Sequence, residues 1–189
     1  MHHIKPVELD KAYRLLNIGA TTLVSARHEG VDDVMAAAWA CALDLSPAKA
    51  TVVIDKSHFT RDLIEQSNVF VLQLPTVEQA ELVLRLGSVS RHDDPKKLEA
   101  ADVKLFTMPG FENVPLVRDC SAWMIFKRIP EPHNEQAYDL FVGECVAAWA
   151  DERVFSDGHW HFEKAPDGLR TLHYVAGGHF YAIGSAKDV

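Results

Sequence analysis

Residues 34 to 60 constrain this chain more than any other stretch. A run of small and apolar residues, Val34-Met35-Ala36-Ala37-Ala38-Trp39-Ala40-Cys41-Ala42-Leu43-Asp44-Leu45, leads through a turn at Ser46-Pro47 into a second apolar strand, Ala50 to Asp55. Then comes Lys56-Ser57-His58-Phe59-Thr60 at the start of a helix. Three alanines in a row bury little area and leave space that something else must fill, and a large planar ligand would fill it. Lys56, Ser57, His58 and Thr60 place a cation, an imidazole and two hydroxyls beside the free N–H groups of a helix start, a combination that binds phosphate. The stretch therefore predicts a flat apolar floor beside an anion cradle. A plainer reading competes for Ser57 and Thr60: at such positions these residues most often cap the helix and need no ligand.

Read in order, the rest of the chain supplies strands with a few helices between them. An amphipathic helix is expected over residues 8 to 19, stopped by Gly19. Thr21 to Arg27 is rich in β-formers, His28-Glu29-Gly30 makes a turn, and Val34 to Leu45 reads as one long return strand. Thr60 to Ser67 is a short helix, Val69 to Leu74 a strand closed by Pro75, and Thr76 to Leu86 a helix that Gly87 ends. Ser88 to Lys97 is polar and non-periodic, with Ser90 and Arg91 as candidate reaches toward a ligand. Val114 to Arg128 returns to strand pattern, Pro130 to Gln136 reads as a loop, and Tyr138 to Trp149 as a long strand.

The order of these pieces resembles the flavin reductase-like, FMN-binding split-barrel family, which includes flavoredoxins and the flavin reductase components of two-component monooxygenases. The small-residue strand near Trp39 and the Lys56-Ser57-x-x-Thr60 segment match, as does the helix leading to Phe70-Val71-Leu72-Gln73-Leu74-Pro75. Gly87 to Asp93 followed by Lys96 resembles the family's Ser-Gly-Arg-Asp-x-x-Lys turn, Phe141-Val142-Gly143-Glu144 its Phe-Ile-Gly-Glu strand, and Leu172 to Gly184 its closing strand. The likeness runs from about residue 10 to 184. It implies a mainly β fold, a Greek-key split barrel with a few short helices, over a single domain spanning residues 1–189. It also implies FMN as cofactor, held by Met35, Ala36, Ala37, Ala38, Trp39, Asp55, Lys56, Ser57, His58, Thr60, Ser90 and Arg91. No side chain is assigned a catalytic proton transfer, since hydride transfer between stacked rings requires position above all.

Three positions depart from the family pattern. Asp33 stands where Asn is usual and Ala36 where Thr is usual, so backbone groups are left to meet the ring edge. Tyr138 stands where flavin reductases often carry a His near the flavin and nicotinamide. The activity implied is an NAD(P)H:flavin oxidoreductase delivering electrons to a flavin or protein acceptor, with the flavin site at a homodimer interface. A flavoredoxin-type FMN carrier and a non-redox ligand- or metal-binding barrel are the alternatives.

Composition enters mainly by exclusion. A formal charge of -8 argues against nucleic acid and anionic membranes as partners. MHHIKPVELD has no apolar core for a secretory signal, and no run approaches the ~20 apolar residues of a membrane span, so the cytoplasm is expected. Cys41, Cys120 and Cys145 lie in apolar runs, as buried reduced thiols do. His159 and His161 share a strand face on spacing alone, but the surrounding pattern does not make a metal site, and hydrogen-bonded strand-end histidines are expected.

Overall fold

The computed structural model describes residues 19–187 together with Val189. The helix expected over 8 to 19 lies outside the described residues except for Gly19. Seven antiparallel strands form the main sheet: β1 (Thr22–His28), β2 (Val31–Ala37), β3 (Ala40–Leu45), β4 (Ala48–Val53), β5 (Val69–Leu74), β8 (Ala122–Ile129) and β9 (Leu140–Ala150). Their order is β2-β1-β5-β8-β9-β4-β3, so consecutive strands β2 and β3 occupy opposite edges. Only Ala38 and Trp39 join them, and three peptide steps span at most about 11 Å. The sheet must therefore curl until its two edges meet at that corner, which makes a split barrel. The long strand expected from Val34 to Leu45 is broken here, because one strand cannot serve both edges.

Alternation along the strands sorts the core. Val24, Met35, Ala37, Val52, Ile54, Phe70, Leu72, Phe126 and Phe141 point inward and meet Leu63 and Ile64 of helix α1 (Phe59–Ser67). Their neighbours Leu23 and Val34 face outward onto Val83 and Leu86 of helix α2 (Ala80–Ser88). A third cluster forms where the hairpin β6 (Leu105–Met108) and β7 (Phe111–Val117) covers Val71 and Ile125. Trp123 donates its indole N–H to the Val117 carbonyl at 2.7 Å, and Trp149 meets Phe111 edge-on. Those two tryptophans are thus covered within the chain. Gln73, fully buried, fastens this hairpin by accepting the Val117 N–H at 2.5 Å and donating to Ser25 Oγ at 2.9 Å.

Several boundaries differ from the sequence reading for identifiable reasons. Gly87 does not end its helix: a Cβ there would lie 3.2 Å from the Ala36 Cβ, so the glycine lets α2 approach β2 closely while the helix runs on to Ser88. The segment 130–136 is not a loop; helix α4 (Pro132–Tyr138) starts with proline in its first turn, where the missing N–H costs nothing. Between α2 and β6 lies a short helix, α3 (Lys97–Ala100). Cys120 is buried and Cys145 half-buried, and loss of water pushes both thiols up, but Cys41 is exposed on β3. The last strands are short pairs, β10 (Phe155–Ser156) with β11 (His159–Trp160) and β12 (Leu172–Ala176) with β13 (His179–Ala182).

Candidate functional site

The corner at Ala38-Trp39 opens a cavity of about 280 Å³ lined by Met35, Ala36, Ala37, Ala38, Trp39, Val53, Asp55, His58 and Tyr174. Seven of the residues singled out in the sequence meet here. Their arrangement differs from a floor of methyl groups, because successive side chains of a strand point to opposite faces. Ala37 packs into the barrel and Ala36 against α2, so the cavity is walled by the main chain at the end of β2. Among the described residues that strand is a sheet edge, with no strand paired to its outer N–H and C=O groups. Tyr174 of β12 lines this cavity and, together with Ala36, Ala37 and Ala38, a second one of about 170 Å³ that also meets Thr21, Gly87, Ser88 and Phe180.

The anion cradle is only partly as the sequence suggests. Lys56 Nζ donates to the Gln136 carbonyl at 2.7 Å and so leans toward α4. Asp55 Oδ1 accepts the Ser57 N–H at 2.8 Å, which holds the Asp55 carboxyl below the usual range. That carboxylate therefore turns into the Lys56 to Thr60 segment, where its negative charge opposes an anion. Thr60, fully buried, donates its hydroxyl to Asp33 Oδ2 at 2.6 Å and is not available to a ligand. Asp62, the other acid of concern, faces His92 at 3.3 Å. His58 keeps its place as the residue preceding α1, without a side-chain cap on the helix.

Ser90 and Arg91 do come to this place. Ser90 Oγ donates to the Ser57 carbonyl at 3.2 Å, and the guanidinium carbon of Arg91 lies 5.4 Å from the Phe59 ring centroid. Arg91 Nη1 is buried and has no hydrogen-bond partner. Below them lies a residue the sequence reading missed. Lys97, 4% exposed, sends its ammonium to within 3.6 Å of Asp33 Oδ1, while Asp33 itself is 1% exposed. The motif lysine had been assigned to Lys96, which is exposed. No local sequence signal separates Lys97 from Lys96, because its burial comes from a contact with Asp33, distant in the chain. Burial lowers the Lys97 pKa, and Asp33 opposes that shift.

Tyr138 ends α4, is exposed, and meets His133 edge-on, away from the cavity lining. His161 Nε2 lies 2.9 Å from Ser156 Oγ, and the described residues contain no group of three or more His, Cys, Asp or Glu able to share a metal ion.

Compared with known proteins, residues 17–178 match the model of the flavin reductase like domain. The chain belongs to this family. The flavin reductase-like match includes every cavity residue, the Ser90-Arg91 loop and Lys97. Among curated relatives, the uncharacterized protein YddH of Escherichia coli (strain K12) is 37% identical over 187 residues, covering 97% of each chain. Among solved structures, an FMN-binding domain of a flavin reductases-like enzyme from Shewanella baltica OS155 is 57% identical. It superposes with a TM-score of 0.88 over 97% of this chain and 95% of that one. A flavoredoxin from Methanosarcina acetivorans, 18% identical with a TM-score of 0.75 over 98% and 95% of the two chains, shares the fold. No helix among the described residues of this flavin reductase-like chain is long and apolar enough to cross a membrane.

Proposed function

We propose that this protein binds FMN at the Ala38-Trp39 corner and acts as an NAD(P)H:flavin oxidoreductase in the cytoplasm, passing electrons to a flavin or protein acceptor. The observation that carries the reading is the buried, unpartnered Nη1 of Arg91 beside the first turn of α1 and next to a ring-sized cavity. A guanidinium N–H buried without an acceptor is costly, and an anion at that turn would satisfy it together with the free N–H groups of the helix start. The cavity, near the lower end of the ~300–1,000 Å³ typical of small-molecule sites, leaves the ring edge to the unpaired margin of β2. These residues fit FMN, with Arg91, Ser57 and His58 toward the phosphate and residues 35–39 and Tyr174 around the ring. Bound FMN would supply the hydride-accepting ring, and residues 35–39 with Tyr174 would hold and orient it. The Shewanella baltica relative, described as FMN-binding, supports the cofactor assignment.

The second reading, an FMN electron carrier of flavoredoxin type, is favoured by Tyr138 standing exposed and away from the cavity. One anaerobic experiment separates the two. The protein is reconstituted with FMN and its blue absorbance followed on adding NADH or NADPH. Bleaching within seconds supports the reductase. Bleaching by dithionite alone supports the carrier, and a protein that retains no FMN contradicts both.

We also propose a homodimer. Strand β3 is a sheet edge exposed along almost its whole length, with Leu43 and Leu45 (94% exposed) bare to solvent beside Trp39 (52%) at the cavity rim. An uncovered apolar edge of this kind pairs with another chain.

A further inference from the structure

We infer that Asp33 and Lys97, neither of which lines the ring cavity, are positioning residues that hold Arg91 ready for an anion. The inference rests on the phosphate site proposed above. Three elements converge on one carboxylate: Asp33 from β2, Thr60 from the first turn of α1, and Lys97 from the start of α3. Lys97 closes the segment 89–96 that carries Ser90 and Arg91, whose other end is fixed by the packing of α2 against β2. Pinning Lys97 to Asp33 therefore fixes that segment against the very helix turn that Asp33 also grips through Thr60.

The pair is poorly explained as a device for stability. Burying both charges is costly and is offset only by close geometry with every lone pair bonded. Here the ammonium stops at 3.6 Å and Asp33 Oδ1 accepts no hydrogen bond. Arg91 adds a second positive charge that opposes that of Lys97, so two cations stand near the one buried carboxylate, Asp33. An arrangement that tolerates this imbalance suits a site awaiting an anion. The polar side-chain ties on the segment, Ser90 to the Ser57 carbonyl and His92 to Asp62, are exposed and contribute little, while Phe59 meets the side chains of Arg91 and His92 without fixing the backbone that carries them.

The test compares FMN with riboflavin, which lacks the phosphate, by quenching of flavin fluorescence. Lys97→Met alone strands the Asp33 charge and risks unfolding, so the informative variant is the neutral pair Asp33→Asn with Lys97→Met, checked for a cooperative melt. Thr60→Val is a milder probe that removes only the hydroxyl. Arg91→Gln serves as the control on the site itself. The double variant should lose about tenfold or more in FMN affinity while riboflavin affinity stays within about threefold, and Thr60→Val should move in the same direction by less. If Arg91→Gln abolishes the preference for FMN but the double variant and Thr60→Val keep it, the positioning role is overturned while the phosphate site stands. Equal losses for both flavins would also overturn it, as a purely structural effect. A preference that survives Arg91→Gln overturns the phosphate site and this inference with it.

Discussion

Arg91 lies over the ring of Phe59, the first residue of α1, with the guanidinium carbon 5.4 Å from the ring centroid. The contact holds a cation beside the N-terminal turn of α1 through the ring face, leaving guanidinium N–H groups for a ligand. His92 meets the same ring edge-on at 5.2 Å. In the proposed site the phosphate would therefore be met by the Ser90-Arg91-His92 segment more than by Lys56 and Ser57.

This changes the expected effect of mutating Lys56. Its ammonium is bound to the Gln136 carbonyl and it is well exposed, so Lys56→Ala should alter FMN affinity by less than about threefold, whereas Arg91→Gln should weaken it about tenfold or more. Parallel fluorescence titrations check the order. A larger loss for Lys56→Ala would mean that Lys56 leaves Gln136 when ligand binds.

Gly143 in the Phe141-Val142-Gly143-Glu144 motif has a packing role. A Cβ there would lie 2.5 Å from Phe70 Cζ and 2.8 Å from Phe126 Cβ, inside the barrel where neither ring has room to retreat. Gly143→Ala should lower stability by roughly 1–3 kcal/mol, read as a shift in the urea midpoint with unchanged slope.

Glu135 and Arg128 form a two-pronged pair, Nε to Oε1 at 2.8 Å and Nη2 to Oε2 at 2.5 Å, with Glu135 buried. The Arg128 hydrogen bonds hold the Glu135 carboxyl below its ordinary value. A depressed carboxyl contributes stability that is present above its unfolded pKa, about 4.3, and is lost as pH falls through the folded value. Glu135→Gln should therefore cost roughly 3 kcal/mol at pH 7, with the gap to wild type closing below about pH 4. Chemical denaturation at the two pH values measures it, and a gap independent of pH would contradict the assignment.

The apolar edge of β3 sets the expectation for assembly. Light scattering at micromolar concentration should give twice the 21.1 kDa chain mass, and Leu43→Lys with Leu45→Lys should return it to one. A wild-type mass of 21.1 kDa independent of concentration would contradict the dimer.

The sequence made the architecture readable because its signals were local. Alternation marked Val69–Leu74, the Thr76-Gln79 reciprocal cap marked a helix start, and Ser46-Pro47 marked the turn into β4. The site was readable in part. Residues 35–39 do line one cavity, and Ser90 does reach the Ser57 carbonyl. What failed depended on contacts distant in sequence. Nothing near Thr60 announces that its hydroxyl meets Asp33, 27 residues away, and nothing near Trp123 or Trp149 announces the hairpin that covers them. Cys41 read as a buried thiol because apolar patterning does not distinguish a buried strand from an exposed sheet edge.

The proposed flavin mononucleotide site lies at the corner between β2 and β3, with the phosphate toward Arg91 and α1. The most direct measurement is an equilibrium titration of the purified full chain with FMN and, separately, with riboflavin, followed by quenching of flavin fluorescence. Saturation at one FMN per chain, with FMN bound about tenfold or more tighter than riboflavin, is the predicted result. Equal affinities for the two flavins, or no saturable binding of either, would contradict it.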